Sequence, residues 1–398
     1  MTRYDYVIVG AGMIADAAAK GIRELDSSGS ILILGDEPDE PYTRPALSKL
    51  LWTDPSFGEE KVPLGTGETG AEIRTGTAVE RIDPEAKTVT AAGETIEYGG
   101  LLLATGGSPT TIDLPPGDRV VYFRTFADYR HLRALADDRP HVAVIGGSYI
   151  GTEMAAALVQ NDCRVTLITP DAVLREKVLP KGLAEVFQGW FEQAGVEVLA
   201  STRVTGGEVR DDGVVLTTDS GGEVEADVVV LGLGITPNTD LAREAGLAVD
   251  DGVVVDAHLR TSSPSVWAAG DVASYPDALL GRRRIEHVDL ARKQGRAAGR
   301  AMAGDESPFT YTPYFYSMVF GHRYEAIGAL DSSLDVVEAW EEPNEKGTLY
   351  YLDGAEVQGV LLWGNSSDAE PDARDAARAV LADPAAASRE ELATRTLA

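Results

Sequence analysis

One cysteine, Cys163, stands among 398 residues. No intrachain disulfide can form, so neither a stapled scaffold nor an internal dithiol pair is available. Long apolar runs are missing too. No stretch reaches the roughly 18–20 apolar residues that a membrane helix needs. The chain enters the apolar segment Tyr6-Val7-Ile8-Val9 almost at once, without a basic and apolar leader. The expected compartment is therefore the cytoplasm, with no membrane association. Cations are also scarce: 35 Lys and Arg face 64 Asp and Glu, a formal net charge of −29. That argues against nucleic acid as a partner, because binding it requires cations that displace the counterions around phosphates. Few of the basic residues are Lys. A dense, Lys-poor carboxylate surface stays hydrated in brine and points to a halophilic host; an acidic protein from a high-GC bacterium is the plainer alternative.

What is present is a repeat. Tyr6 to Val9 reads as a β-branched strand, Gly10-Ala11-Gly12 as a glycine turn, and Met13 to about Leu25 as an Ala-rich helix, followed by a strand at Ile31–Leu34. The same order returns with a strand at Val142–Ile145, the turn Gly146-Gly147-Ser148, a helix to about Asn161 and a strand at Arg164–Ile168. Two βαβ units, each opening on a glycine turn, predict two doubly wound α/β domains. Leu101–Leu103 before Thr105-Gly106, Val228–Leu231 before Gly232-Leu233-Gly234, and Val266–Ala268 before Gly270-Asp271 are short buried-type strands that end in glycine turns. From about Tyr311 the texture becomes aromatic and β-branched, which predicts a C-terminal α+β domain with an antiparallel sheet. Asp372 to Leu381 reads as a helix, with a frayed end after it. The expected domains are 1–116 with 241–308, then 117–240, then 309–398.

The first turn carries the spacing Gly10-x-Gly12-x-x-Ala15. Gly10 permits the tight turn, Gly12 lets backbone approach a pyrophosphate, and Ala15 allows close helix packing. The anion would rest on the helix N-terminus, with Asp36 or Glu37 receiving the ribose hydroxyls. In the second turn Ser148 replaces the middle glycine, and its small hydroxyl could itself reach phosphate. Gly146, Gly147, Tyr149, Ile150 and Gly151 complete that motif, and Gly234 closes the facing turn. Asp171 is the matching ribose acid and favours NADH, since it repels a 2′-phosphate. Arg175 and Lys177 nearby could reverse the choice towards NADPH.

Several segments resemble the ferredoxin-reductase-like FAD/NAD(P)-dependent oxidoreductases, the putidaredoxin and rubredoxin reductase group. They are Pro41 to Lys49, Leu103 to Pro109, Gly151-Thr152-Glu153, Leu280 to His287 and Tyr324 to Gly328. Tyr324 to Gly328, Arg282–Arg284 and Trp363 look closest to the apoptosis-inducing-factor branch. The likeness runs from Tyr6 to about Trp363 and implies two glutathione-reductase-like dinucleotide domains, FAD in the first and nicotinamide in the second.

The resemblance also implies roles. Arg44 would lie on the FAD pyrophosphate. Lys49 would sit near the reactive flavin nitrogen, paired with Glu153, which faces the nicotinamide. Thr105 and Gly106 would line the flavin site, and Gly270 and Asp271 would receive the ribityl chain. Glu286 and His287 would open the helix aimed at the flavin carbonyls, with His287 also a catalytic candidate. Trp363 would cover the flavin's other face. Structural roles compete with these: a surface lysine, a first-turn glutamate, a helix-start histidine, a core tryptophan and a solvated Arg282–Arg284 turn. No metal site is expected. With one cysteine the disulfide-reductase branch is ruled out, so electrons from NAD(P)H must go to an external acceptor. A ferredoxin-type iron-sulfur protein is the first choice. An oxidase or quinone reductase using a small-molecule acceptor, and a redox-responsive flavoprotein with a long-lived reduced flavin–NAD complex, are the alternatives. The sequence leaves a homodimer open.

Overall fold

The computed structural model describes residues 2–364, 371–383 and 387–397. They form two compact units, one of residues 2–44, 58–108 and 236–313, the other of residues 45–57, 109–235 and the described residues from 314 onward.

The first unit is organised by a sheet with the strand Thr2–Val9 at its centre. Ile31–Leu34 and Glu94–Leu103 pair with it in parallel, placing Val7 opposite Leu32 and Leu101. Glu72–Arg74 extends one edge in parallel, and Val266–Ala268 pairs in parallel with Leu101–Leu103. Thr88–Ala91 and Val79–Asp83 add an antiparallel flank. The central strands are β-branched and aliphatic because both of their faces are buried; Val7, Ile8, Leu32, Ile33, Leu101 and Leu102 are fully enclosed.

Helices Met13–Arg23 and Val288–Met302 pack closely against each other. Small residues make this approach feasible. A Cβ on Gly295 would meet the backbone of Ile14, and one on Gly299 or Gly21 would enter the facing helix backbone at Ala18 or Arg296.

In the second unit a five-stranded parallel sheet runs in the order Glu197–Leu199, Arg164–Ile168, His141–Ile145, Val228–Leu231, Val120–Tyr122. Its glycine turn leads into helix Tyr149–Val159. A five-stranded antiparallel sheet follows in the order Tyr314–Val319, His322–Gly328, Glu356–Trp363, Lys346–Asp353, Asp335–Glu342. The two sheets share this unit: Tyr351 donates its hydroxyl to the Val178 carbonyl at 2.7 Å, and the Ser332 amide donates to the Lys177 carbonyl at 3.0 Å.

The two α/β folds and the antiparallel C-terminal sheet agree with the sequence reading. Details differ at the ends of elements. The early helices stop at Arg23 and Val159, and the C-terminal helix spans Pro371–Ala382. Beyond it, where a frayed end is expected, Ser388 and Glu391 form a capping box that starts the short helix Arg389–Leu392.

The glycine seam makes a prediction. Gly299→Val should lower stability by about 3 kcal/mol, because added methyl groups must force apart two packed backbones. Urea unfolding checks it, and a loss below about 0.5 kcal/mol would mean that the helices are not this close in solution.

Candidate functional site

In the first unit, Gly10 adopts φ +106°, and a side chain there would run into the Ala104 carbonyl. Gly12 caps helix Met13–Arg23 without a side chain, and a Cβ on it would point into open space. The first-turn N–H groups thus face a cradle that an oxyanion can enter. Ala15 is fully buried beneath this turn.

Of the two acids expected at the ribose, Asp36 is exposed while Glu37 belongs to a cluster. Glu37 accepts the Tyr42 hydroxyl at 2.6 Å and pairs with Arg44 at 2.7 Å. The Arg44 guanidinium also lies 4.9 Å from the Tyr42 ring centroid. Burial by itself would lower the Arg44 pKa, but Tyr42, Glu37 and Asp271 outweigh it and leave the pKa raised. Arg44 is therefore a held cation within the electrostatic reach of Asp271.

Gly270, at φ +78°, donates its amide to Gln294 Oε1 at 2.8 Å, which fixes the turn bearing the half-buried Asp271. Thr105 and Gly106 are clamped by a residue the sequence reading missed. Asn238 accepts the Thr105 hydroxyl at its carbonyl (2.8 Å), donates Nδ2 to the Thr105 carbonyl (2.9 Å) and donates its amide to the Gly106 carbonyl (3.0 Å). The only local sign of it is the Pro237-Asn238 turn pair.

His287 is the N-cap of helix Val288–Met302, its Nδ1 accepting the Asp289 amide at 3.3 Å. Glu286 lies before the helix and pairs with Arg284. The Arg282–Arg284 run is held by the fold. Arg282 donates to the Val255 and Ser274 carbonyls, Arg283 to the Leu280 carbonyl, and Arg284 faces Asp251 and Glu286.

In the second unit the glycines of the turn are enforced by contact. Gly146 has φ +117° with the Gly232 carbonyl against it, Gly147 faces Thr169, and Gly151 packs on the Gly146 carbonyl. Gly234, at φ +86°, has open space where a Cβ would stand. Ser148 caps helix Tyr149–Val159, but its hydroxyl donates to the Gly232 carbonyl at 3.1 Å. That hydroxyl is thus bonded within the turn. Tyr149 is half-buried at the first helical position, followed by the exposed Ile150.

Asp171 forms an ion pair with Lys177 at 2.6 Å. Arg175, expected beside Asp171, turns inward instead. It is 6% exposed, with its guanidinium 3.8 Å from the Tyr149 ring centroid.

The centre of this unit is Glu153, 4% exposed on helix Tyr149–Val159. One carboxylate oxygen accepts Lys49 Nζ at 2.6 Å and the Ser48 hydroxyl at 2.7 Å; the other accepts the Ser317 hydroxyl at 2.9 Å. A buried carboxylate persists only when paired and hydrogen-bonded in this way. Lys49 also lies 5.7 Å from the Tyr316 ring centroid. The expected Lys49–Glu153 pair is thus formed.

Trp363 lies in the core of this unit. It is 2% exposed, stacked on Trp190 and Tyr324 at 5.3 Å each, with its indole N–H on the Asn344 carbonyl. The structure shows the core packing that competes with a flavin contact in the sequence reading. The sequence lacks the signal because Trp190 comes from a distant helix.

Residues 4–295 match the model of the pyridine nucleotide-disulphide oxidoreductase family. The chain belongs to that family. Among its relatives is the ferredoxin–NAD(+) reductase component of the anthranilate 1,2-dioxygenase system of Burkholderia cepacia, 35% identical over 89% of each chain. Peroxisomal monodehydroascorbate reductase 4 of Arabidopsis thaliana is 34% identical over 91% of this chain and 80% of its own length. Among solved structures, putidaredoxin reductase in its covalent complex with putidaredoxin superposes with a TM-score of 0.86 at 28% identity, over 96% of this chain and 94% of that one.

Members of the pyridine nucleotide-disulphide oxidoreductase family use FAD and NAD(H), and this chain is an FAD-dependent NAD(P)H oxidoreductase. The residues fit both cofactors: the open cradle at Gly12 and the cation Arg44 suit one dinucleotide, and the tight turn at Gly146 and the acid Asp171 suit the other. The disulphide of the family name does not apply here. Cys163 is buried, its thiol pushed up in pKa by burial, with the Ala136 and Asn161 carbonyls 3.9 Å from its sulfur.

Glu153 yields the prediction. Glu153→Ala should cost about 3–5 kcal/mol in urea unfolding, since it leaves Lys49 enclosed without its partner. A loss under about 1 kcal/mol would place the pair in solvent.

Proposed function

We propose that this chain takes hydride from NADH and passes the electrons to a ferredoxin-type iron-sulfur protein. The observation that carries the reading is the single buried Cys163. A flavin- and nicotinamide-dependent chain that lacks a cysteine pair must export its electrons. Relatives and structural neighbours named for ferredoxin and putidaredoxin reduction support an iron-sulfur acceptor. The monodehydroascorbate reductases support a second reading, a small-molecule acceptor.

In this reading residues 1–116 with 241–308 hold FAD, 117–240 hold NADH and 309–398 form the third domain. When bound, FAD accepts two electrons as hydride and releases them singly. Arg44 and the helix start at Gly12 hold the FAD pyrophosphate, Glu37 or Asp36 the ribose, and Asp271 the ribityl chain. Thr105, Gly106, Gly270, Glu286 and His287 line the remainder. Lys49 is paired with and oriented by Glu153, so its side chain acts through a medium from which water is largely excluded.

NADH is favoured over NADPH because Asp171 meets the adenine ribose and both nearby cations are engaged, Lys177 with Asp171 and Arg175 with Tyr149. Among the described residues no helix is long and apolar enough to cross a membrane, and a cytoplasmic location belongs to this proposal. The charge of −29 supports a halophilic one.

The decisive experiment mixes the FAD-loaded protein with NADH and follows flavin absorbance. Rapid reoxidation only on adding ferredoxin is expected. Immediate reoxidation in air favours an oxidase, and a persistent long-wavelength charge-transfer band favours a redox-responsive protein. NADH should exceed NADPH by at least about tenfold in kcat/KM, the scale of one lost charged contact; parity would remove Asp171 from its role. The melting temperature should rise steadily from dilute buffer to molar KCl as carboxylate repulsion is screened, and a flat response would count against a halophilic origin.

A further inference from the structure

Arg175 is a buried cation whose stacking on Tyr149 leaves its hydrogen-bonding edge unaccounted for. It follows Asp171 by four residues, in the segment between the strand Arg164–Ile168 and the helix Lys181–Gln193. Its backbone sits at φ +67°, a conformation that residues with side chains seldom adopt. Departures of this kind cluster at ligand sites.

The surroundings keep it charged. Burial pulls the Arg175 pKa down, but Tyr324, Tyr149 and Glu153 reverse the direction and raise it. Yet Nε and Nη2 are both buried and neither makes a well-formed hydrogen bond, although the Tyr149 and Tyr324 hydroxyls interact with the guanidinium. These two atoms carry the parallel N–H bonds along one edge of the guanidinium, the edge that grips a carboxylate or phosphate with two bonds. Buried donors are normally satisfied, and a whole edge without well-formed bonds asks for an oxyanion.

Its place says which one. The guanidinium is stacked on Tyr149, the first residue of the helix whose N-terminus follows Gly146-Gly147-Ser148. Tyr149 is only half-buried and is packed edge-on against Phe315, with ring centroids 5.5 Å apart. A fork of donors stacked on the first residue of a helix, and the N-terminus of that helix, favour the same ligand, a phosphate group.

We propose that Arg175 is a coenzyme-binding residue of the second dinucleotide site, whose Nε–Nη2 edge takes diphosphate oxygens of the nicotinamide dinucleotide when the Tyr149 ring moves off it. The inference rests on that turn being the coenzyme site. Asp171 and Lys177 then meet the adenosine end while Arg175 holds the diphosphate.

Calorimetry on the FAD-loaded protein tests it with three probes: NAD+, ADP-ribose, which keeps the diphosphate, and adenosine, which lacks it. Arg175→Met should weaken NAD+ and ADP-ribose about ten- to hundredfold, the range for a hydrogen-bonded charge, and leave adenosine unchanged. Arg175→Lys, which keeps the charge without the fork, should fall between wild type and Arg175→Met. ADP-ribose affinity within twofold of wild type in either folded variant overturns the inference, as does a parallel loss for adenosine. Should Arg175→Met fail to fold, the same limits applied to Arg175→Lys decide. If wild-type protein binds none of the three probes, the coenzyme-site reading itself falls, and the inference with it.

Discussion

The second unit is organised around one buried carboxylate. Glu153 draws together three pieces of chain that are far apart in sequence: the loop at Ser48 and Lys49, its own helix, and the strand bearing Ser317. Each partner answers a lone pair that would otherwise be stranded away from water, so the segments are obliged to meet. The α/β fold and the antiparallel sheet are joined at the same place. A side chain held this way has a fixed position, which chemistry on a flavin ring needs and a free surface lysine would not provide.

Close backbone approach is the other constraint, and both glycine turns obey it. Gly10 lies against the Ala104 carbonyl, Gly146 against the Gly232 carbonyl. In each case a strand-to-helix turn is pressed onto the end of a neighbouring parallel strand. This leaves helix N–H groups facing outward, where a phosphate can replace water as their partner. Gly295 and Gly299 extend the same economy of volume to the helix pair behind the first turn.

Much of the frame is legible in the chain itself. Uninterrupted β-branched strands before glycine turns announce a parallel sheet, and the repeat at Gly10 and Gly146 announces two of them. The Lys49–Glu153 pair was reachable through family likeness. Asn238, Arg175 and Trp363 were not reachable. Asn238 clamps Thr105 from 133 positions away, Arg175 has an ordinary loop sequence around it, and Trp363 is enclosed by Trp190 from another element. None of these pairings leaves a local period or spacing to read.

By itself, then, the sequence determined the alternation of strands and helices, the two phosphate-type turns and the lack of any internal thiol acceptor, because periodicity, glycine spacing and a cysteine count are local or additive properties. The tertiary structure decided which charges are paired. It turned Arg175 inward, tied Lys177 to Asp171, engaged Ser148 with Gly232 and moved Trp363 into the core. Those outcomes depend on burial and on partners brought together from distant segments, and desolvation acts on a charge only once the surrounding fold exists.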